Sequence, residues 1–332
     1  MRPLRFAPND TTYYHCISRV RGLDMLINNG EKQVLLDTIN KVSGFSGVEV
    51  KTYCLLDNHF HIVIKVPKRR EVDDRELERR MRVLYGGAKT EKRLAAWELW
   101  ISKGDAAKVD AEKAALRKRM YNLSAFFKNL KERFAMDFNR RNGCSGVFWG
   151  GRFKSILLAP ESGVLAPVGA YVDMNPVRAE IAKNPEEYEY SGFGAASRGD
   201  AAAVAGIREL LDPSNANAIA DKNVCPAYKR VMEGGMPPRY LGSDPKKKGS
   251  DPKLSAVEKA RRAEGLRKRR FDLIAGVAIG SLKFVGKVAL AMLCAGLGAG
   301  GTVRGHGLEH RAWYGSHDGY YRARRVGELQ VK

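Results

Sequence analysis

Two histidines two residues apart are the part of this chain whose residue types and spacing best suit chemistry. His59 and His61 lie in the run from Asn58 to Pro67, where apolar and other side chains alternate as in a β-strand. Side chains at i and i+2 of a strand point to the same face, so the two imidazoles could hold one metal ion side by side. The alternative for the pair alone is two partly buried, hydrogen-bonded histidines.

A tyrosine and an asparagine form a second candidate group. Tyr171 and Asn175 are four residues apart at the end of a predicted helix, so their side chains share a face. A tyrosine hydroxyl has a pKa of about 10, so it acts as a nucleophile only when a nearby cation or metal stabilises the phenolate or when its proton is removed in the transition state. An amide oxygen suits the shell of a hard metal ion. Taken alone, Tyr171 is more typical of a packed helix residue, and Asn175 of a helix end before a proline.

The elements that must position these residues follow from the spacing of apolar side chains. Their order is strand, helix, strand, strand, helix, strand, helix, which predicts an α+β fold: a ferredoxin-like antiparallel sheet with helices on one face. The strands are predicted at residues 13–20, 48–56, 58–67 and 146–158, and the helices at 29–42, 121–142 and 161–174.

Three further regions interrupt or extend this unit. Residues 68–120 are highly charged with sparse apolar positions, which predicts a helical insertion whose charge is a solvated face or a nucleic-acid contact. The main domain is predicted over 1–195, a linker region over 196–250, and a basic, mostly helical C-terminal extension over 251–332. The apolar, glycine-rich segment 271–303 has no uninterrupted run of the roughly 18–20 residues that a spanning helix needs, so a buried segment is favoured over membrane insertion.

The charge balance indicates a polyanionic partner. The chain has 332 residues, with 58 lysines and arginines against 37 acidic residues and a formal charge of +21. This surplus favours nucleic acid, through phosphate neutralisation and counterion release, over a basic surface that only serves solubility. Five scattered cysteines without a CxxC pair exclude a disulfide framework or a zinc finger and suit a reducing cytoplasm. The N-terminal residues lack the apolar core of a signal peptide.

Four sequence blocks, taken together and in order, resemble a known family. The blocks are Tyr-Tyr-His-Cys-Ile-Ser-Arg at 13–19, Tyr-Cys-Leu-Leu-Asp-Asn-His-Phe-His-Ile-Val-Ile at 53–64, Gly-Arg-Phe-Lys-Ser at 151–155 and Tyr-Val-Asp-Met-Asn-Pro-Val-Arg-Ala at 171–179. Over roughly residues 10–195 the chain is similar to the REP-associated tyrosine transposases, single-tyrosine transposases of the HUH endonuclease superfamily.

The resemblance implies a role for each matching position. His59 and His61 would hold Mg²⁺ or Mn²⁺, with Asn175 as a third ligand or as a group that orients the phosphate. Tyr171 would attack a phosphate of single-stranded DNA at a repeat hairpin, giving a 5′-phosphotyrosine link and a free 3′-hydroxyl. Because that link keeps the phosphodiester energy, rejoining needs no ATP, and the sequence has no P-loop. The expected DNA contacts are His15, Arg19, Arg152, Lys154 and Arg178.

Two alternatives to this function stay open. One is another HUH nickase, such as a replication initiator or a relaxase-like enzyme. The other is a DNA- or RNA-binding protein of this fold whose site is inert. In each case we expect a cytoplasmic, nucleoid-associated protein with no membrane contact, as a monomer or a homodimer.

Overall fold

A central antiparallel sheet organises the chain. The structure, a computed structural model, describes residues 10–22, 24–215, 217, 219–234, 278–281 and 320–323. Four strands lie in the order β2-β3-β1-β4 and are antiparallel to their neighbours. Two short strands continue the sheet beyond β4, with β5 parallel to β4 and β6 antiparallel to β5. The strands are β1 Thr12–Arg19, β2 Glu49–Leu55, β3 His59–Val66, β4 Lys154–Leu158, β5 Ala278–Ser281 and β6 Tyr320–Ala323.

The two long helices between these strands complete the predicted layout. Helix α1, Asn29–Ser46, connects β1 to β2, and helix α5, Leu123–Arg141, precedes β4. The side chain of Asn28 accepts a hydrogen bond from the backbone of Glu31 and caps α1, which ends where Gly47 adopts a φ of +70°. The α+β prediction is therefore confirmed, with the strand order of a ferredoxin-like sheet.

Helices cover both faces of the sheet, so the prediction of helices on one face was wrong. On one face, Phe60 of β3 stacks on Phe127 of α5. On the other face, helices α6, Ser162–Asp173, and α9, Ala201–Leu211, pack against β2. The physical reason is that this second face also carries apolar side chains, which are buried only because these helices cover them: Ile17, Val63 and Ile156.

The insertion is helical, as the sequence predicted. It contains α2, Asp74–Tyr85, α3, Gly87–Ser102, and α4, Ala106–Lys118. Within α2, the apolar residues at helical spacing are buried, and this helix packs against α1. The charged majority faces outward and forms ion pairs within the insertion.

The segment predicted as a linker is folded where the structure describes it. Residues 201–234 contain α9 and α10, Asp221–Gly234, after the short α8, Gly192–Ser197. Helix α9 approaches β2 so closely that a Cβ at Gly206 would lie 2.3 Å from the carbonyl oxygen of Lys51. The linker prediction was wrong here because the apolar residues of this segment are too scattered to indicate helices from local spacing alone. In the folded chain these residues are nevertheless buried together: Val204, Ile207, Leu210, Val224 and Tyr228. The domain boundaries themselves stay predictions.

The sequence prediction was also too long for the fourth strand. Residues 146–153 form a loop with a single bridge between Val20 and Trp149, and β4 begins only at Lys154. Gly146 and Gly151 have φ values of +99° and +149°, which interrupt an extended ladder.

The predicted C-terminal extension lies almost entirely outside the described residues. Of residues 251–332, the structure describes only β5 and β6, so the prediction of a mostly helical extension stays a prediction. Among the helices that are described, none combines the length and the apolar character that a membrane crossing requires.

Candidate active site

Strand pairing places both histidines of the pair on the face covered by α6. In the register of the sheet, His61 lies between Cys54 of β2 and Ile17 of β1, and His59 lies opposite Arg19. His61 is buried, whereas His59, nearer the end of the strand, is half-buried. The alternation in the sequence therefore placed the two imidazoles on one face correctly, with ring centroids 5.1 Å apart.

A third histidine joins the pair. His15 Nε2 and His61 Nδ1 are 3.0 Å apart, within hydrogen-bond distance. His59 Nδ1 is 2.6 Å from Oδ1 of Asn58. His15 was expected to contact DNA, but its side chain is only 1% exposed, so in this conformation it does not form part of a surface that DNA reaches.

Tyr171 reaches the histidines from helix α6. Its ring lies edge-on to both His15 and His61, with ring centroids 5.9 Å and 6.0 Å away. On another side, the guanidinium carbon of Arg178 lies 4.2 Å from the centroid of the Tyr171 ring, and Nη1 of Arg178 donates to the Tyr171 carbonyl oxygen at 3.2 Å. The tertiary structure thus brings an imidazole pair to a phenol and a cation that lie more than a hundred residues further along the chain.

Asn175 lies at the end of the helix that carries Tyr171. Its amide nitrogen donates to the carbonyl oxygens of Tyr171 and Val172, each at 3.0 Å. These carbonyls belong to the last turn of α6, where oxygens lack helical partners, so the amide caps the helix. A single helical turn, α7, Asn175–Arg178, follows. The role of Asn175 as a metal ligand stays a prediction.

Burial keeps two of the imidazoles uncharged. Burial lowers the pKa of His15 to about 4. Burial also lowers the pKa of His61, and electrostatic interactions with His15, His59, Arg19 and Arg178 lower it further. Both rings are therefore neutral at pH 7, which is the form in which histidine binds a metal ion.

The donor set fits a divalent cation in part. His59 and His61 offer two nitrogen ligands on one face, and neutral imidazole is a common ligand of divalent transition metals. Within the part of the chain that the structure describes, no group of three or more His, Cys, Asp or Glu residues is arranged to hold a metal ion. The remaining positions of such a shell would therefore fall to other oxygen ligands, such as an amide, water or substrate phosphate.

Two other predicted contacts lie on the same face of the sheet. Arg19 is exposed opposite His59, and Lys154 is exposed opposite Ile17, which also pairs with His61. We call Arg19 and Lys154 the basic rim. Arg152 is exposed in the loop that precedes β4.

Sequence reasoning missed the residue that anchors the tyrosine helix. The carboxylate of Asp173 is fully buried and accepts hydrogen bonds from Thr52 Oγ1 at 2.7 Å, the Phe193 backbone at 2.9 Å and Tyr228 Oη at 2.9 Å. Burial raises the pKa of Asp173 to about 7, against the effect of these donors. No local pattern pointed to this role, because its partners come from β2, α8 and α10. The sequence signal was only an acidic residue inside an apolar helix.

Comparison with known proteins gives one distant structural match to report. No family model matches the sequence, and no curated protein matches it. A solved structure described as a "REP associates tyrosine transposase bound to a REP hairpin" is similar over 60% of this chain and 87% of that chain, with 15% identity and a TM-score of 0.38. At this TM-score the likeness carries no conclusion about the fold or the function of this chain.

Proposed function

We propose that this chain is a metal-dependent nickase and strand transferase for single-stranded DNA, with Tyr171 as its nucleophile and hairpin DNA as its substrate. The observation that carries the proposal is the approach of the Tyr171 ring to 6.0 Å from the ring of His61, one of two imidazoles suited to a metal ion. A phenol beside metal-binding groups is the arrangement that phosphoryl transfer to tyrosine requires.

The reaction at this site is a transfer of one phosphodiester bond. The Tyr171 hydroxyl loses its proton and attacks the phosphorus, an O–P bond to tyrosine forms, and the bond from phosphorus to the 3′-oxygen breaks. The 3′-oxygen takes up a proton and leaves as a free 3′-hydroxyl, while the 5′ side stays on the tyrosine. Attack by a 3′-hydroxyl on the phosphotyrosine reverses these bonds and rejoins the strand without ATP.

Each neighbouring side chain has a part in this scheme. His59 and His61 would hold Mg²⁺ or Mn²⁺, whose charge offsets that on the phosphoryl oxygens. Arg178, whose guanidinium carbon lies 4.2 Å from the centroid of the Tyr171 ring, holds the phenol in place through a cation–π contact. The basic rim binds the phosphates on either side of the cleaved bond.

The test is the formation of a covalent protein–DNA adduct. A labelled hairpin oligonucleotide with a single-stranded flank is incubated with the protein and Mn²⁺, then separated on a denaturing gel. The wild-type protein should give an adduct, and Tyr171→Phe should give none while its DNA affinity is unchanged. Tyr190→Phe is the matched control, because Tyr190 and Tyr171 have the same exposure of 8%. An adduct that survives Tyr171→Phe would exclude this residue as the nucleophile.

A binding protein without catalysis is the second candidate. Two observations favour it: Tyr171 and His61 are 8% and 3% exposed, and no group of three or more His, Cys, Asp or Glu residues in the described part of the chain could hold a metal ion. If the wild-type protein binds the oligonucleotide with a steep salt dependence but forms no adduct, this second function is correct.

An adduct that forms equally well on unstructured DNA would instead indicate a nickase of the relaxase-like type.

A further inference from the structure

We propose that His15 is a positioning residue: it accepts a hydrogen bond from Nδ1 of His61 and so holds His61 in the tautomer whose Nε2 can bind a divalent cation. This inference deepens the proposed function and rests on its metal site. It assigns His15 a place inside the site in place of the DNA contact expected from the sequence.

The geometry of the two rings is that of a hydrogen bond in the ring plane. The bonded nitrogens are 3.0 Å apart, the ring centroids are 5.2 Å apart, and the ring planes differ by 17°. The centroid separation is close to the nitrogen separation plus the two ring radii, so the rings meet edge to edge. The N–H and the lone pair of an imidazole lie in this plane, so the contact is well aligned.

One ring must donate and the other must accept. His15 and His61 are both buried, 1% and 3% exposed, which disfavours a charged ring. A neutral imidazole has one N–H and one lone pair. If His61 donates from Nδ1, its Nε2 keeps a lone pair for a cation. If His15 donates from Nε2, then His61 Nε2 carries the proton and cannot bind a cation.

The tautomer of His59 indicates which of the two tautomers of His61 allows both rings of the pair to bind one cation. Nδ1 of His59 lies 2.6 Å from Oδ1 of Asn58, and an amide oxygen can only accept, so His59 donates from Nδ1 and keeps its lone pair on Nε2. The same tautomer at His61 makes both rings of the pair present the same nitrogen. Metal-binding histidines commonly donate their second N–H to a fixed acceptor in this way.

The other ring nitrogen of His15, Nδ1, does not distinguish the two possible donors in the His15–His61 hydrogen bond. Nδ1 of His15 is buried and has no hydrogen-bond partner among the described residues. Either tautomer of His15 leaves this atom unpaired, as a donor in one case and as an acceptor in the other. The assignment therefore rests on the His61 contact and on the parallel with His59.

The first test reads the tautomers directly. Long-range ¹H–¹⁵N NMR spectra of the metal-free, full-length protein distinguish protonation at Nδ1 from protonation at Nε2, and the chain has only six histidines to assign. We expect His59 and His61 both to carry the proton on Nδ1. A His61 ring protonated at Nε2 would overturn the proposal. This measurement needs neither DNA nor catalysis, so its outcome is independent of whether the proposed reaction occurs.

The second test compares the Mn²⁺ affinity of two variants in a titration that is monitored by electron paramagnetic resonance. His15→Gln places an amide oxygen near the position of the ring Nε2 and keeps an acceptor, whereas His15→Leu removes it. We expect the dissociation constant for Mn²⁺ to rise about 10- to 100-fold for His15→Leu and to stay near the wild-type value for His15→Gln.

Two outcomes of that titration would overturn the proposal. One is equal Mn²⁺ affinity of His15→Leu and His15→Gln, whether both variants keep the wild-type affinity or both lose it. The other is a wild-type protein without Mn²⁺ affinity. Thermal unfolding shows whether each variant is folded. If His15→Leu does not fold, the tautomers of the wild-type protein decide the question alone.

Discussion

At the scale of single residues, Tyr171 lies between two neutral rings and one permanent cation. His15 and His61 contact its edge, and Arg178 lies against its face. The imidazoles are buried and uncharged, whereas the guanidinium of Arg178 stays positive at all working pH values. The electrostatic environment of the phenol therefore includes the charge of Arg178 and that of any cation held by the histidine pair.

The buried carboxyl group of Asp173 gives a prediction about stability and pH. The folded state raises its pKa from 3.8 to about 7, so between these values the folded protein binds a proton that the unfolded chain has lost. The stabilisation that protonated Asp173 adds to the free energy of unfolding is fully present below about pH 4 and is lost as the pH rises through about 7. Asp173→Asn, which cannot ionise, should reduce the fall in unfolding free energy across that range.

Urea unfolding of both proteins at a series of pH values from 4 to about 8 measures the effect, since the difference between them removes the contributions of other groups. The amide oxygen of Asn can still accept from the Phe193 backbone, and the hydroxyl groups of Thr52 and Tyr228 can turn to accept from its NH₂. A pH dependence identical in the two proteins would show that Asp173 is already ionised in the folded state.

At the scale of elements, the helix that carries Tyr171 is held in place by segments on both sides of it in the sequence. Asp173 connects α6 to β2, α8 and α10. A Cβ at Gly169 would lie 2.5 Å from the hydroxyl of Tyr228, so α10 approaches α6 as closely as a glycine allows. The position of the candidate nucleophile thus depends in part on α10, a helix from the region that the sequence predicted to be a linker.

The insertion is anchored to α1 by one buried arginine, which gives a second prediction. Arg80 donates to the Phe45 carbonyl oxygen at 3.2 Å, the Tyr121 hydroxyl at 2.9 Å and Glu76 at 2.6 Å. Arg80→Met removes these bonds and leaves a buried carbonyl unpaired, so we expect a loss of about 2 kcal/mol in the free energy of unfolding.

The adjacent arginine is the control for this change. Arg79 also binds Glu76, at 2.6 Å, but its side chain is 60% exposed, whereas that of Arg80 is 3% exposed. Arg79→Met should cost less than about 0.5 kcal/mol. Urea unfolding measures both, and equal losses would show that burial of the guanidinium does not anchor the insertion.

At the scale of the whole molecule, the excess of positive charge should act through a localised surface. The formal charge of +21 predicts strong, salt-dependent binding to nucleic acid, but only phosphates that a side chain contacts contribute to the salt slope. Arg19 and Lys154 of the basic rim lie on the face of the sheet that carries the histidines. Lys128 is exposed on α5, on the other side of the sheet, and has the same charge.

This separation gives a third prediction. Arg19→Gln and Lys154→Gln should each reduce the slope of log Kobs against log salt by about 0.7, the value for one single-strand phosphate contact. Lys128→Gln changes the net charge equally and should leave the slope unchanged. Fluorescence anisotropy of a labelled single-stranded oligonucleotide at several salt concentrations measures all three. An equal effect of all three variants would indicate that binding follows net charge and not the basic rim.

The sequence by itself determined those features that depend on local periodicity. Alternation in β3 placed His59 and His61 on one face, and helical spacing placed α1, α5 and the insertion. These predictions succeed because backbone geometry fixes which side chains share a face, whatever the rest of the chain does.

Only the tertiary structure decided how the site is assembled. The bond between His15 and His61 joins positions 46 residues apart, and that between Thr52 and Asp173 joins positions 121 residues apart. Such contacts depend on strand order and on helices packing over the second face of the sheet, and no local pattern specifies either. Long-range packing placed the phenol of Tyr171 beside the histidines, made His15 a buried partner and gave Asp173 its role in anchoring α6.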